Sequence, residues 1–339
     1  MSSNFKSILI ALIVPGLFLF SGCELPTEQG EYQENLVVFG HLTANSPVVD
    51  TVYVSRSSSI DESHETAKRW ISDAKVVLSD GATVFQLEPV PGRPGRYLDL
   101  SQAPNIIEPN RTYTLTVEWG YDLIQASTTV PDEFSLRSIN IPNWDCQGES
   151  IMVPEIELHL ESNTSQTLAR ALYTGDFAGL VVDTVLYREG PCFSTSFASV
   201  PLFALQWEAG SAPGVIRTVT VALDDGMENA IVDTSFAANI FKESMLVDEV
   251  GNYYRSPVFT WNSASEIIPF SWLYFNYSGL HLITVETTDN SMQEYFEGDP
   301  LRQNPYVLPN SNIEGGYGLF YSSFARSFLV EVQPDPSQG

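Results

Sequence analysis

From Leu36 onward, apolar and polar residues exchange places with a period of two, and glycine, proline or Asp-Gly interrupts the pattern at short intervals. The clearest stretch is Thr112–Trp119, where Tyr113, Leu115, Val117 and Trp119 alternate with Thr112, Thr114, Thr116 and Glu118. Side chains two apart share one face of a pleated strand, so this pattern predicts a half-buried β-strand. Gly120-Tyr121 turns the chain into Asp122–Val130, where Ile124, Ala126, Thr128 and Val130 repeat the alternation. Leu36–Thr43 and Thr51–Arg56 predict two earlier strands. Ala74–Gly81 runs into an Asp-Gly hairpin turn and returns through Thr83–Leu87, and Gly95-Arg96-Tyr97 opens another strand. About seven short strands with turn signals between them predict a β-sandwich, immunoglobulin-like or transthyretin-like.

Pro131-Asp132-Glu133 breaks the pattern, which places one domain at 36–131 and a second β-rich domain at 134–333, with a tail at 334–339. In the second unit Ile156, Leu158 and Leu160 alternate with acidic residues and His159; Val219, Val221 and Leu223 alternate before Asp224-Asp225-Gly226. Leu280–Thr287 and Phe328–Val332 predict further strands. Two short helices are expected, over Ser235–Leu246 and over Asp289–Phe296, the latter capped by Asp289 and ended by Gly298. Asp61–Ile71 predicts a short helix or a polar excursion carrying Trp70. The fold class is all-β.

The first 35 residues follow other rules. Lys6 and the amino terminus supply positive charge, and Ser7–Phe20 is almost wholly apolar. That run is shorter than the roughly 20 residues a membrane-spanning helix needs, and Pro15-Gly16 interrupts it. Ser21-Gly22-Cys23 then supplies a small-residue cleavage site followed by a thiol. The expectation is a lipoprotein signal peptide over 1–22 and lipidation at Cys23, although Phe20 stands where aliphatic residues are usual. Residues 23–35 form an acidic tether, too poor in apolar groups to order itself. The formal net charge of −26 disfavours nucleic acid and anionic headgroups as partners and suits cations or basic protein surfaces.

With Cys23 acylated, Cys146 and Cys192 remain, an even number in an oxidising compartment, and a disulfide between them is expected. Both lie in segments that read as loops. Chemistry is otherwise sparse. The chain lacks a Gly-x-Ser-x-Gly elbow, a phosphate-cradling glycine loop and a His-Glu-x-x-His pair. His41, His64, His159 and His281 are scattered, and Asp224-Asp225 and Glu297 with Asp299 fit turns better than calcium loops. No catalytic, cofactor or metal residue is therefore expected. Aromatics crowd one stretch, with Trp261, Phe270, Trp272, Tyr274, Phe275 and Tyr277, which fits either two strand faces of a core or an exposed binding platform. Candidate recognition loops are Ser57–Lys68, Pro142–Ser150, Ala209–Gly214 and Asp299–Gly318.

One resemblance covers most of the mature chain. Its residues are the Cys23 lipobox, the first strand Asn35–Thr43, the Ala74–Gly81 hairpin, Ala126-Ser127-Thr128-Thr129-Val130-Pro131, and the late run from Asn304-Pro305 through Ser311-Asn312-Ile313-Glu314-Gly315-Gly316-Tyr317-Gly318-Leu319-Phe320. The chain resembles Bacteroidetes-type outer-membrane lipoproteins grouped only as a domain of unknown function. Such proteins are encoded near TonB-dependent receptors, so the resemblance implies an accessory role in uptake or surface recognition, with a transporter as partner and no assigned catalytic residues. Acidic Glu24, Glu28 and Glu31 are similar to surface-export signals of that class, and Asp50-Thr51-Val52 and Asp183-Thr184-Val185 are similar to its short O-glycosylation pattern. The expected function is a lipid-anchored outer-membrane binding protein, on either face of that membrane. A glycan-binding or glycan-active surface protein and an adhesion or envelope-structural lipoprotein are the alternatives.

Overall fold

The computed structural model describes residues 33–48, 52–59, 69–101, 105–188, 190, 192–194, 197–198, 200–209, 215–223, 254–256, 258–262, 266–275, 278–296 and 310–338. Over these residues the chain is all-β with two short helices. The expected anchor at Cys23, the Ser235–Leu246 helix, His64 and the acidic pairs at 224–225 and 297–299 lie outside the described residues.

Strands β1 (Leu36–Thr43), β2 (Val52–Arg56), β3 (Lys75–Ser79), β4 (Val84–Pro89), β5 (Arg96–Leu98), β6 (Thr112–Trp119) and β7 (Asp122–Thr129) form the first unit. They pair in the order β1-β2-β5-β4-β3-β6-β7, and every link in that chain is antiparallel. Alternation in sequence becomes alternation in burial. Val76 and Leu78 on β3, Tyr113, Leu115 and Val117 on β6, and Ile124 and Ala126 on β7 all face the core. Each large apolar side chain so buried contributes about 1.5–3 kcal/mol.

The strand expected at Phe328–Val332 proves to be the end of a much longer one, β20 (Tyr317–Pro334), of 18 residues. Its first third runs parallel to β1, from Val37↔Tyr317 to Thr43↔Ser323. From Ser323 to Val332 it pairs antiparallel with β19 (Gly279–Thr288), and its end pairs parallel with β11 (Asp183–Tyr187). Hydrogen bonding therefore passes from the first unit to the second through β1 and β20. One apolar core, containing Val38, Leu115, Phe134, Phe203, Phe320 and Phe328, does the same. Close approach at this seam depends on glycine. Gly318 has φ +123°, and a Cβ there would collide with the backbone of Val38; a Cβ on Gly40 would lie 2.9 Å from the Phe320 ring.

Pro131–Glu133 is where the chain leaves β7 and enters β8 (Phe134–Ile139). This strand joins β14 (Phe203–Ala209) and β18 (Ile267–Phe270) in a separate three-stranded sheet. Arg326 pins the step, ion-paired with Glu133 and donating to the Phe134 carbonyl at 3.5 Å. β15 (Val215–Ala222) lies beside β19 and also pairs with the short β16 (Tyr254–Arg255) and β17 (Phe259–Asn262).

Four local expectations change. Glu155–Glu161 carries no strand pairing. Its alternation records burial alone, and side chains anchor its backbone, with the Ile156 amide donating to Ser138 Oγ at 3.0 Å. On β15 the fully buried face carries Thr218 and Thr220, and Val219 and Val221 are half-buried, because both faces of the sheet are covered. An unforeseen helix α1 (Ser165–Thr174) starts at a Thr164 cap and stops at Gly175 (φ 69°), and its Leu168 packs with Leu223, Leu282 and Leu329. The described part of the aromatic stretch is largely interior: Phe270 and Phe275 are fully buried, Trp272 and Tyr274 nearly so, Trp261 is half-buried, and Phe203 stacks on Phe270 at 4.8 Å; Tyr277 lies outside the described residues. Trp272–Tyr274 is a 3-10 turn rather than part of a strand face. The expected helix at the other end stands as α2 (Asn290–Phe296), preceded by Asp289.

Candidate functional site

Thr128 is the polar residue on an otherwise apolar face. It follows Ile124 and Ala126 on the inward side of β7 and is 3 % exposed. A hydroxyl there must find partners or lose the hydrogen bonds water gave it. Thr128 Oγ1 donates to Asp289 Oδ2, a residue 161 positions away, and lies 2.6 Å from Ser322 Oγ. Because its single proton is committed to Asp289, Ser322 is the donor in the second contact.

Asp289 closes β19. Its backbone N–H donates to the Ser322 carbonyl at 3.0 Å, and its side chain is 7 % exposed. Burial pushes the carboxyl above its ordinary value of 3.8, against the opposing pull of the Thr128 hydroxyl, of the Met292 amide and Ser291 hydroxyl at the start of the following helix, and of the Ser322 backbone. Oδ1 has no hydrogen-bond partner among the described residues, and the buried hydroxyls of the preceding Thr287 and Thr288 share that condition. Three consecutive residues thus hold unmet polar atoms at one end of β19. A buried acceptor left so costs about 1–3 kcal/mol.

Asp289 lines a cleft of about 360 Å³ together with Ser127, Thr129, Asp132, Asn290 and Ser291, with Asn110 at its margin. One wall is the outer edge of β7. The Val130 amide donates to the Arg111 carbonyl at 3.0 Å, on the β6 side. Backbone groups alternate sides along an antiparallel strand. The odd-numbered residues of β7 therefore turn their N–H and C=O to the outer edge. Gln125 shows this directly: it exchanges both backbone hydrogen bonds with Glu314, at 3.2 and 2.7 Å. Ser127 and Thr129 come next, and their outer backbone groups have no partner among the described residues. Among the described residues, no lysine or arginine lines the cleft. Chemically the site offers two carboxylates, hydroxyls, amides and an open strand edge.

The other candidates distribute as follows. Cys146 and Cys192 form a disulfide with Cα atoms 6.1 Å apart, beside buried Phe193 and Val200. Cys146 sits not in a loop but at the end of β9 (Ile141–Cys146), which pairs with β10 (Glu149–Val153) across a two-residue turn. Gln147 (φ 56°) and Gly148 (φ 87°) make that tight turn, so most of the expected Pro142–Ser150 loop is hairpin. His41 Nε2 lies 2.7 Å from Ser323 Oγ and its ring stacks on Tyr321 at 4.3 Å, but Ser323 is fully buried in the β1–β20 seam. His159 is half-buried with Nδ1 3.9 Å from Glu157, and His281 is buried with Nδ1 3.0 Å from the Gly279 carbonyl. Among the described residues, no group of three His, Cys, Asp or Glu side chains could hold a metal ion. Thr184 is exposed on β11, and Thr51 lies outside the described residues.

Of the four recognition loops, Ser57–Lys68 and Ala209–Gly214 lie largely outside the described residues. The end of Asp299–Gly318 is structural. Ile313 is buried, Glu314 bridges β7, and a Cβ on Gly316 would lie 2.8 Å from the Leu36 carbonyl. Sequence reasoning assigned Asp289 a capping role and missed the cleft. Its one visible signal was Thr128, a hydroxyl in an inward register.

The geometry defines an all-β protein with an acidic, hydroxyl-rich cleft at a strand edge. The chain matches the model of the family described as Domain of unknown function (DUF4249) over residues 24–327, and it belongs to that family. A comparison with curated proteins finds no match.

Proposed function

We propose that this chain is a lipid-anchored binding protein of the outer membrane, acylated at Cys23, that assists a TonB-dependent transporter in uptake or surface recognition. The observation that carries the binding role is the cleft at β7. The Asp289 carboxylate, with Oδ1 unpartnered among the described residues, lines it together with a stretch of strand edge that has no backbone partner among them. Hydrogen-bonding capacity of this kind is open to water, an ion or a ligand. The apolar run ending at Ser21-Gly22-Cys23 supports the anchor, and membership in the family supports reading the body as one functional unit. The net charge of −26 would steer the body toward a basic surface on a transporter.

Crosslinking in intact cells followed by purification of wild type and Cys23→Ala tests this. The expected result is acyl labelling and a co-purifying outer-membrane transporter for wild type, both lost in the variant. Membrane retention of Cys23→Ala, or a wild type that brings down no transporter, would contradict it. A glycan-active enzyme is the second reading, favoured by one observation: Asp132 and Asp289 line the same cleft. Paired carboxylates about 5–10 Å apart are what glycoside hydrolysis uses. Hydrolysis of a polysaccharide panel, abolished by Asp289→Asn, would move the assignment there.

A further inference from the structure

Among the described residues, the outer edge of β7 is used once and then left open. Glu314 adds to it in antiparallel fashion at Gln125, exchanging both backbone hydrogen bonds. At that point the edge accepts an antiparallel partner. Two residues further on, Ser127 offers another N–H and C=O, and Thr129 another pair, about 6.6 Å along. Exposed edges are usually blunted by lysine, proline or a covering loop. Here Ser127 and Thr129 are uncharged and exposed, and Pro131 comes only after the open stretch.

Asp289 lines the same cleft, with Oδ1 unpartnered among the described residues and the side chain 7 % exposed. Its chemistry calls for a donor, best a cationic one, since charge-assisted hydrogen bonds to a desolvated carboxylate are the strong ones. Asp132 adds a second negative group, and among the described residues no lining side chain is basic. A naked divalent ion is a poor match. It needs six to eight oxygens at about 2.3–2.6 Å, and the cleft, at about 360 Å³, has the size of a site for an organic ligand.

We propose that this cleft is a strand-addition site for an extended peptide segment carrying a basic residue. The peptide backbone pairs with Ser127 and Thr129, continuing the ladder that Glu314 begins, and its lysine or arginine side chain ends on Asp289. Backbone pairing supplies sequence-independent affinity, and the single buried carboxylate supplies selection for positive charge. The partner is thus a protein or peptide with an unpaired basic strand, matching the strongly acidic body that would attract it.

The proposal deepens the reading of the chain as a binding protein, and its test needs neither anchor nor transporter. The purified full-length protein is titrated with the blocked pentapeptide acetyl-Thr-Val-Lys-Val-Thr-amide, with its norleucine counterpart, and with a version N-methylated at alternate residues. Saturable binding of the lysine peptide is expected, weakened about tenfold or more by norleucine, by N-methylation and by Asp289→Asn. Ser127→Pro should weaken it too. The Ser127 N–H points away from β6, so proline deletes an edge donor without touching the ladder, and an unchanged melting temperature verifies the fold. Failure of the lysine peptide to bind wild type would overturn the proposal. So would equal binding by the norleucine or N-methylated peptide, or equally tight binding of N-acetyl-lysine amide, which has no strand to add. Peptide binding without transporter recovery would remove only the accessory role; transporter recovery without peptide binding would remove only strand addition.

Discussion

β1 and β7 both turn an edge toward the stretch of chain from Glu314 into β20, and they meet it in opposite ways. β1 pairs with it residue for residue over seven positions, from Val37↔Tyr317 to Thr43↔Ser323, and Gly40 and Gly318 let the two backbones and the Phe320 ring close up. β7 makes one bridge, Gln125↔Glu314, and then parts from it. Past that point the interface is Thr128, Ser322 and Asp289 instead of a ladder, with a cleft on the outside. The first contact spends every hydrogen-bonding group on stability. The second leaves Asp289 Oδ1 and the Ser127 and Thr129 edge groups unspent among the described residues. Recognition capacity sits where the fold stops pairing.

If that contrast is right, glycine substitution should separate the two regions most sharply. Gly318→Ala places a Cβ against the Val38 backbone at φ +123° and should cost on the order of 5 kcal/mol or more, or prevent folding. Gly148→Ala also meets a positive φ, but with open space around it, and should cost only about 1–2 kcal/mol. Denaturant unfolding measures both. Similar values would show that the seam is not the tightly closed contact described.

The disulfide gives the next largest effect. Replacing Cys146 and Cys192 together by serine removes a crosslink of sequence separation 46 and should cost roughly 4 kcal/mol in the chain-entropy model. Because the bond lies in its own apolar cluster with Phe193 and Val200, away from the cleft, peptide affinity should not change. A change in affinity would mean that the hairpin and the cleft are coupled.

Asp289→Asn is the smallest change and carries the sign of the argument. A carboxyl raised by burial stays protonated longer in the folded than in the unfolded chain. Its presence is therefore harmless below the ordinary value of 3.8, and it lowers stability progressively as pH rises through the folded value. Removing the desolvated charge should make the variant about 1 kcal/mol more stable at pH 7. That advantage should vanish by about pH 3, where wild type is neutral too. A destabilised variant at pH 7 would show that the carboxylate serves the fold.

Much of the first unit was legible because one face is apolar throughout: Val76 and Leu78, or Tyr113, Leu115 and Val117, can point only inward. Legibility failed where burial is two-sided. On β15 the threonines Thr218 and Thr220 lie deeper than the neighbouring valines, because Trp261 Nε1 donates to Thr218 at 3.2 Å and Thr220 donates to the Tyr274 carbonyl. Period-two reading has no access to such partners. β20 was legible only at its end, since its first third is glycine, serine and aromatic residues whose pairing depends on β1, nearly 280 positions earlier. The cleft was the least legible feature. Thr128 and Asp289 each had a local reading, as strand and as cap, and nothing local announces that they meet.

The central claim is that the β7 edge beyond Gln125 is open for a partner strand. Backbone amide hydrogen exchange, resolved residue by residue, tests it most directly. In the free protein the Ser127 and Thr129 amides should exchange fast and the Gln125 amide, bonded to Glu314, slowly. On saturation with the lysine pentapeptide, Ser127 and Thr129 should become protected while Gln125 stays as it was. Slow exchange at Ser127 and Thr129 in the free protein, or fast exchange that the peptide leaves unchanged, would contradict the account.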